Sequence, residues 1–174
     1  MARRSPVFFA LCFWLAASSA CERAPDLSTT LELVPGITGY RLAGLSPDKQ
    51  NRLVPSITFQ LKNIGDVDLS YIDLSVAFWQ ASADGETDSK QIKGIGGTPL
   101  KPGALTDSVT VDSSVAYVSP VTTGEAFTSS LYKDFVVKVF AKRHGKTTKL
   151  GEYKVEPRVL PTVPQSVPKT GSHP

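Results

Sequence analysis

Tyr71-Ile-Asp-Leu-Ser-Val-Ala-Phe-Trp-Gln80 alternates with a period of two. Ile72, Leu74, Val76 and Phe78 fall on one side and Asp73, Ser75, Ala77 and Trp79 on the other, the spacing of a strand that buries one face. The pattern recurs on both sides of this stretch. Ser56–Lys62 sets Ile57, Phe59 and Leu61 against Thr58, Gln60 and Lys62 and stops at the turn sequence Asn63-Ile64-Gly65-Asp66. Asp134–Lys142 is the strongest strand signal, with Phe135, Val137, Val139 and Ala141 alternating with Val136, Lys138, Phe140 and Lys142. His144-Gly145-Lys146 then reads as a hairpin tip and Thr147–Glu156 as the closing strand. Leu31–Leu42, a return strand at Lys90–Gly94 after the Asp84-Gly85 turn, and Leu105–Tyr117 with Val109 and Val111 on one face bring the expectation to about seven strands. No long window shows helical periodicity.

Short strands that each bury one face need two sheets in contact to exclude water. The chain is therefore read as all-β, a single two-sheet sandwich of immunoglobulin type. Leu61-Lys62-Asn63-Ile64-Gly65-Asp66 resembles the "strand, Asn, x, Gly" corner of bacterial immunoglobulin-like domains of the FxLYD and cell-adhesion-related types. Val76-Ala77-Phe78-Trp79-Gln80 with Asp84-Gly85 resembles their next strand and turn, and Leu100-Lys101-Pro102-Gly103 their Leu-x-Pro-Gly corner. The resemblance covers about half of the chain, and Asp112–Tyr132 departs from it in being longer and richer in Ser and Thr. It implies an extracytoplasmic binding or spacer module rather than a catalyst.

Ahead of the strands stand Arg3-Arg4, an eleven-residue apolar run from Val7 to Ala17, and Ser18-Ser19-Ala20 followed by Cys21. The run is well short of the roughly 20 residues that a membrane-spanning helix needs, and its flanks are those of a secretory signal. Arg3-Arg4 also raises twin-arginine export, which Ser5–Phe9 fits poorly. A cysteine directly after the small residues resembles a bacterial lipoprotein signal, in which the thiol is acylated and becomes the new N-terminus. Ser18 stands where such signals usually carry a branched aliphatic residue. Cleavage by an ordinary signal peptidase, leaving Cys21 as a free thiol, is the alternative. Cys12 would leave with the leader, so Cys21 would have no disulfide partner, and an odd exported cysteine calls for an explanation that lipidation supplies. Several acyl chains would make the attachment effectively permanent. Glu22, rather than Asp, follows the cysteine, and the resemblance then implies the outer membrane, facing the periplasm.

The formal charge of +3 overstates the basicity of such a mature chain, because Arg3 and Arg4 leave and 17 of the 19 basic side chains remain against 16 acidic ones. That balance gives no nucleic-acid footprint. The charge is uneven, however. Lys133, Lys138, Lys142, Arg143, Lys146, Lys149, Lys154 and Arg158 crowd the closing hairpin against Asp134, Glu152 and Glu156. Such a hairpin is either a solvated edge that blunts aggregation or an electropositive face for lipid headgroups, lipopolysaccharide or an acidic partner. Composition divides the chain into a signal peptide (1–20), a lipidated tether (21–30), the sandwich (31–158) and a disordered Pro-rich tail (159–174). Pro161 and Pro164 make a PxxP spacing inside that tail, where a plain linker is the simpler reading.

Chemistry is sparse. His144 lies at the hairpin tip and His173 in the tail, neither with a partner at metal-ligand spacing. Gly94-Ile95-Gly96-Gly97 has no following helix to cradle a phosphate. Asp84, Glu86 and Asp88 lack the spacing of a calcium loop. No catalytic residue, metal ligand or cofactor is assigned. Trp79 and Phe140 face outward if the alternation holds, and together with Lys142, Arg143 and Lys146 they are the candidate partner-binding residues. The competing reading covers the aromatics with the Asp112–Tyr132 loop, which brings Tyr117, Val118, Pro120, Val121 and Phe127. The expectation is a non-catalytic, membrane-anchored interaction module in the bacterial envelope, with a structural place in a secretion or pilus assembly, or a small hydrolase, as alternatives. Its partners would be the membrane, through lipid on Cys21, and another envelope protein or anionic envelope component. Mass spectrometry of the mature N-terminus should find Cys21 as the first residue and acylated; an unmodified thiol there removes the anchor.

Overall fold

The computed structural model describes residues 25–161 except 82, 123 and 131. The leader, Cys21 and the chain after Pro161 lie outside the described residues. A one-turn helix, α1 (Leu27–Thr30), leads into eight strands: β1 (Leu31–Leu45), β2 (Asn51–Asn63), β3 (Ile72–Gln80), β4 (Glu86–Ile95), β5 (Val109–Asp112), β6 (Tyr117–Ser119), β7 (Phe135–Arg143) and β8 (Lys146–Lys154). They form two antiparallel sheets. In the first, β1 pairs with β2 and β2 pairs with both β5 and β6; the second runs β4-β3-β7-β8. This is the two-sheet immunoglobulin-type sandwich expected from the alternation. The expected strand over Leu105–Tyr117 is the one that differs, because it splits into β5 and β6, which meet opposite stretches of the same strand β2.

The inner faces carry the core. Ile57, Phe59 and Leu61 of β2 meet Leu74, Val76 and Phe78 of β3 and Val137, Val139 and Ala141 of β7, all sealed from solvent. Fully burying each Val, Leu, Ile or Phe contributes about 1.5–3 kcal/mol. The β7–β8 connection is the two-residue turn His144-Gly145, both at positive φ (48° and 78°), a hairpin twist that suits the flanking strands.

Each flank of the sandwich is closed by polar contacts between the sheets. Where β4 faces the gap between β5 and β6, the Asp88 carboxylate accepts from Ser113 Oγ (2.9 Å) and Ser114 N (2.6 Å). On the other flank the chain leaving β8 crosses to β1. Tyr40 N donates to Arg158 O (2.8 Å) and Leu160 N to Tyr40 O (2.7 Å). Val159 and Leu160, at the start of the expected tail, thus belong to the folded body, and Leu160 is buried. A side chain at Gly39 would meet Leu160 at 2.8 Å, so this crossing needs glycine.

The two ends are closed differently. At the far end, Tyr40, Tyr117, Phe127 and Tyr132 form an edge-to-face and tilted cluster with ring centroids 4.9–5.8 Å apart. Burial pushes the Tyr40 and Tyr132 phenols up from their ordinary range. At the near end, where α1 stands, Leu27 is buried in the core. The expected tether therefore folds at its last residues. Beside it lies Asn63, with no solvent exposure. Its Nδ2 donates to Val67 O and Leu100 O (both 2.8 Å), its Oδ1 accepts from Gly65 N (3.0 Å), and its backbone bonds Ala104 O and Gly103 N. The two corner sequences, Leu61–Asp66 and Leu100–Gly103, are thus one structural unit joined through a single amide. Asn63→Ala leaves two carbonyls and one N–H without this partner and should cost about 3 kcal/mol in urea unfolding; a loss under about 1 kcal/mol would show that other contacts hold the corner.

Candidate contact face and anchor end

The five residues singled out on the hairpin and beside it do not form one group. Trp79, Phe140 and Lys142 lie on the outer face of the second sheet, where Phe140 pairs with Ser75, Trp79 with Val136 and Lys142 with Asp73. Arg143 and Lys146 turn away to the near end, against α1.

Alternation along four adjacent strands places Lys93, Lys138, Lys142, Lys149 and Lys154 on that same outer face. Lys138, Lys149 and Lys154 belong to the basic hairpin noted in the sequence; Lys93 does not, because only the strand order brings β4 beside Lys142. Carboxylates are interleaved with them. Lys149 Nζ lies 2.6 Å from Glu152 Oε2 and holds that carboxyl below its ordinary range. Lys154 Nζ lies 3.2 Å from Asp134 Oδ2. Lys142 Nζ bonds a neutral partner, Gln91 Oε1, at 3.2 Å.

The aromatics on this face are half-buried. The Lys138 ammonium sits 4.0 Å from the centroid of the Trp79 ring, a cation–π geometry. The β3–β4 register shifts between Phe78 and Trp79, while the β3–β7 pairing runs through regularly. Ser75 and Ala77, expected on an open face, are buried. The 112–132 segment sends Tyr117, Val121 and Phe127 to the core and to Tyr40 at the far end. On the outer face, lysine stems that extend their charged heads to water act as cover.

The near end holds a different arrangement. A recess of about 260 Å³ is lined by Pro25, Asp26, Leu27, Arg143, His144, Lys146 and Thr148. Asp26 caps α1 by accepting from Ser28 N (3.1 Å), and its carboxylate lies 3.4 Å from Lys146 Nζ. The hydrogen bonds from Ser28, aided by the Lys146 ammonium, hold the Asp26 carboxyl below its ordinary value. Arg143 Nε and Nη1 are sealed from solvent with no hydrogen-bond acceptor among the described residues. The sequence signal for this corner is Asp26-Leu27-Ser28, a capping residue just before an apolar one. Among the described residues, no group of three or more His, Cys, Asp or Glu is arranged to hold a metal ion, and no helix is long and apolar enough to cross a membrane.

No family model and no curated protein matches the chain. Among solved structures, a β-glucuronidase from Parabacteroides merdae with glycerol in its active site is similar at TM-score 0.35 and 15% identity, over 71% of this chain and 13% of that one. A target of the Northeast Structural Genomics Consortium is similar at TM-score 0.44 and 12% identity, over 85% of this chain and 98% of that one. The chain thus spans a small part of the glucuronidase, and likenesses this distant carry no argument about activity.

Trp79 is the one tryptophan from Glu22 onward. In the chain from Glu22 onward, Lys138→Ala should red-shift its fluorescence and cost about 0.5–1 kcal/mol of stability; unchanged emission would mean that the ring is covered by something other than Lys138.

Proposed function

We propose that this chain is an extracytoplasmic lipoprotein of the bacterial envelope, moored through acylated Cys21, whose sandwich is a non-catalytic interaction module. In this reading the immunoglobulin-like resemblance extends to role as well as fold, and the protein sits at the outer membrane, facing the periplasm. The single observation that carries the binding role is the outer face of the second sheet. Five lysines and two half-buried aromatics share it with the carboxylates of Asp73, Glu86 and Glu152, and Lys138 lies over the Trp79 ring. A face of this chemistry attracts an anionic surface over the Debye length and offers flat apolar area once contact is made. The partner is an acidic face of another envelope protein or an anionic envelope polymer.

The early start of the folded body supports the mooring. The capping residue Asp26 lies only five positions after Cys21, so the sandwich would stand close to the bilayer rather than at the end of a long arm. Lys93→Glu combined with Lys142→Glu should lower recovery of envelope partners several-fold in a pull-down with the mature chain. Recovery by the unaltered protein should fall as salt rises. Equal recovery by both proteins rejects this face.

A further inference from the structure

The recess between α1 and the β7–β8 turn contains a structural anomaly: the guanidinium of Arg143, whose Nε and Nη1 meet no protein acceptor among the described residues. Buried donors without acceptors are costly, the more so when charged. The nearest carboxylate in the lining, Asp26, is engaged elsewhere by Ser28 N and Lys146. Arg143 and Lys146 together outnumber that single carboxylate. We propose that this recess is a binding site for a phosphate group, with Arg143 as its principal ligand, Lys146 as the second cation and Thr148 in its lining.

Guanidinium suits this ligand because its planar fork matches a phosphate's oxygens two at a time. The volume, about 260 Å³, lies just under the range of small-molecule pockets, enough for a headgroup-sized fragment and too little for a large ligand. Location indicates the source. This part of the inference rests on the lipoprotein reading. The five Cα–Cα steps from Cys21 to Asp26 can span at most about 18 Å, and the headgroup layer of a bilayer is about 5–8 Å deep on each side. The recess is therefore within reach of the phosphate plane when the acyl chains are inserted. The same end exposes Ile64, Val67 and Tyr71, the last 72% exposed, and a tyrosine suits the apolar–polar boundary of a membrane. The phosphate is thus assigned to a phospholipid headgroup, which would fix the orientation of the sandwich on the bilayer.

The test uses the unacylated chain from Glu22, which contains every residue of the core, so its outcome does not depend on whether Cys21 is modified. Inorganic phosphate and a short-chain, water-soluble phosphatidylglycerol are titrated separately, with the Arg143 side-chain Nε–Hε and the Thr148 amide followed by NMR. Both probes should shift these signals, the lipid at lower concentration. Arg143→Gln should abolish the Thr148 response, Lys146→Gln should weaken binding about tenfold, and Lys49→Gln, on the loop between β1 and β2, should leave it unchanged. A response to inorganic phosphate alone rejects the headgroup source. No response to either probe, or an equal response in Arg143→Gln, overturns the site.

Discussion

Asn63 has no contact with water, yet three hydrogen bonds leave its side chain and two its backbone. An amide in that position is stable only when every polar atom is met, and the chain meets it by bringing three separate segments to one point. The 64–67 turn, the corner at Leu100–Gly103 and the end of β2 are all held there. Ile64 N donates in turn to Thr30 O, the last residue of α1, so the entry of the chain is tied to the same corner. The near end of the sandwich is thus densely hydrogen-bonded where the chain enters α1. The far end is closed by aromatic packing among Tyr40, Tyr117, Phe127 and Tyr132, which needs apolar area rather than a fully satisfied polar network.

Charge is distributed according to the same geometry. Along β7 the period of two separates Lys138, Phe140 and Lys142 from Val137, Val139 and Ala141, so the lysines end on one broad outer face. Beyond Ala141 the strand runs out of sheet to lie on. Arg143, which continues the inward row, points past the end of the core into the recess beneath α1. One short basic stretch thereby supplies two chemically different surfaces. One is broad, screened by salt and built on aromatics; the other is a small, half-open recess beside a guanidinium without a protein acceptor among the described residues.

Much of this architecture was legible from alternation alone. Ser56–Lys62 falls inside β2, and Tyr71–Gln80 and Asp134–Lys142 match β3 and β7 except for their first residue, all with the apolar row inward, because a half-buried strand leaves the plainest periodic trace a sequence can carry. The split of β5 from β6 was not legible, since Ser113 N still donates to Pro55 O of β2 while the Ser113 hydroxyl and Ser114 N turn to Asp88, a partner 25 and 26 residues away. The burial of Leu160 depends on its pairing with Tyr40, which no local signal announces. For the contact residues, spacing gave the side of the strand but not its neighbours. The cover over Trp79 comes from Lys138 on the adjacent strand, and the separation of Arg143 and Lys146 from Lys142 follows from the alternation along β7 and the hairpin register that pairs Arg143 with Lys146.

The central claim is that the sandwich stands on a bilayer with its Asn63 end down. Paramagnetic broadening by headgroup spin-labelled lipid, with the acylated protein in phospholipid nanodiscs, reads that orientation directly. The account predicts strong broadening of the Gly65, Tyr71 and His144 amides and little at Leu45, Tyr117 and Val118. Broadening concentrated at Leu45 and Val118, or spread evenly over both ends, would contradict it.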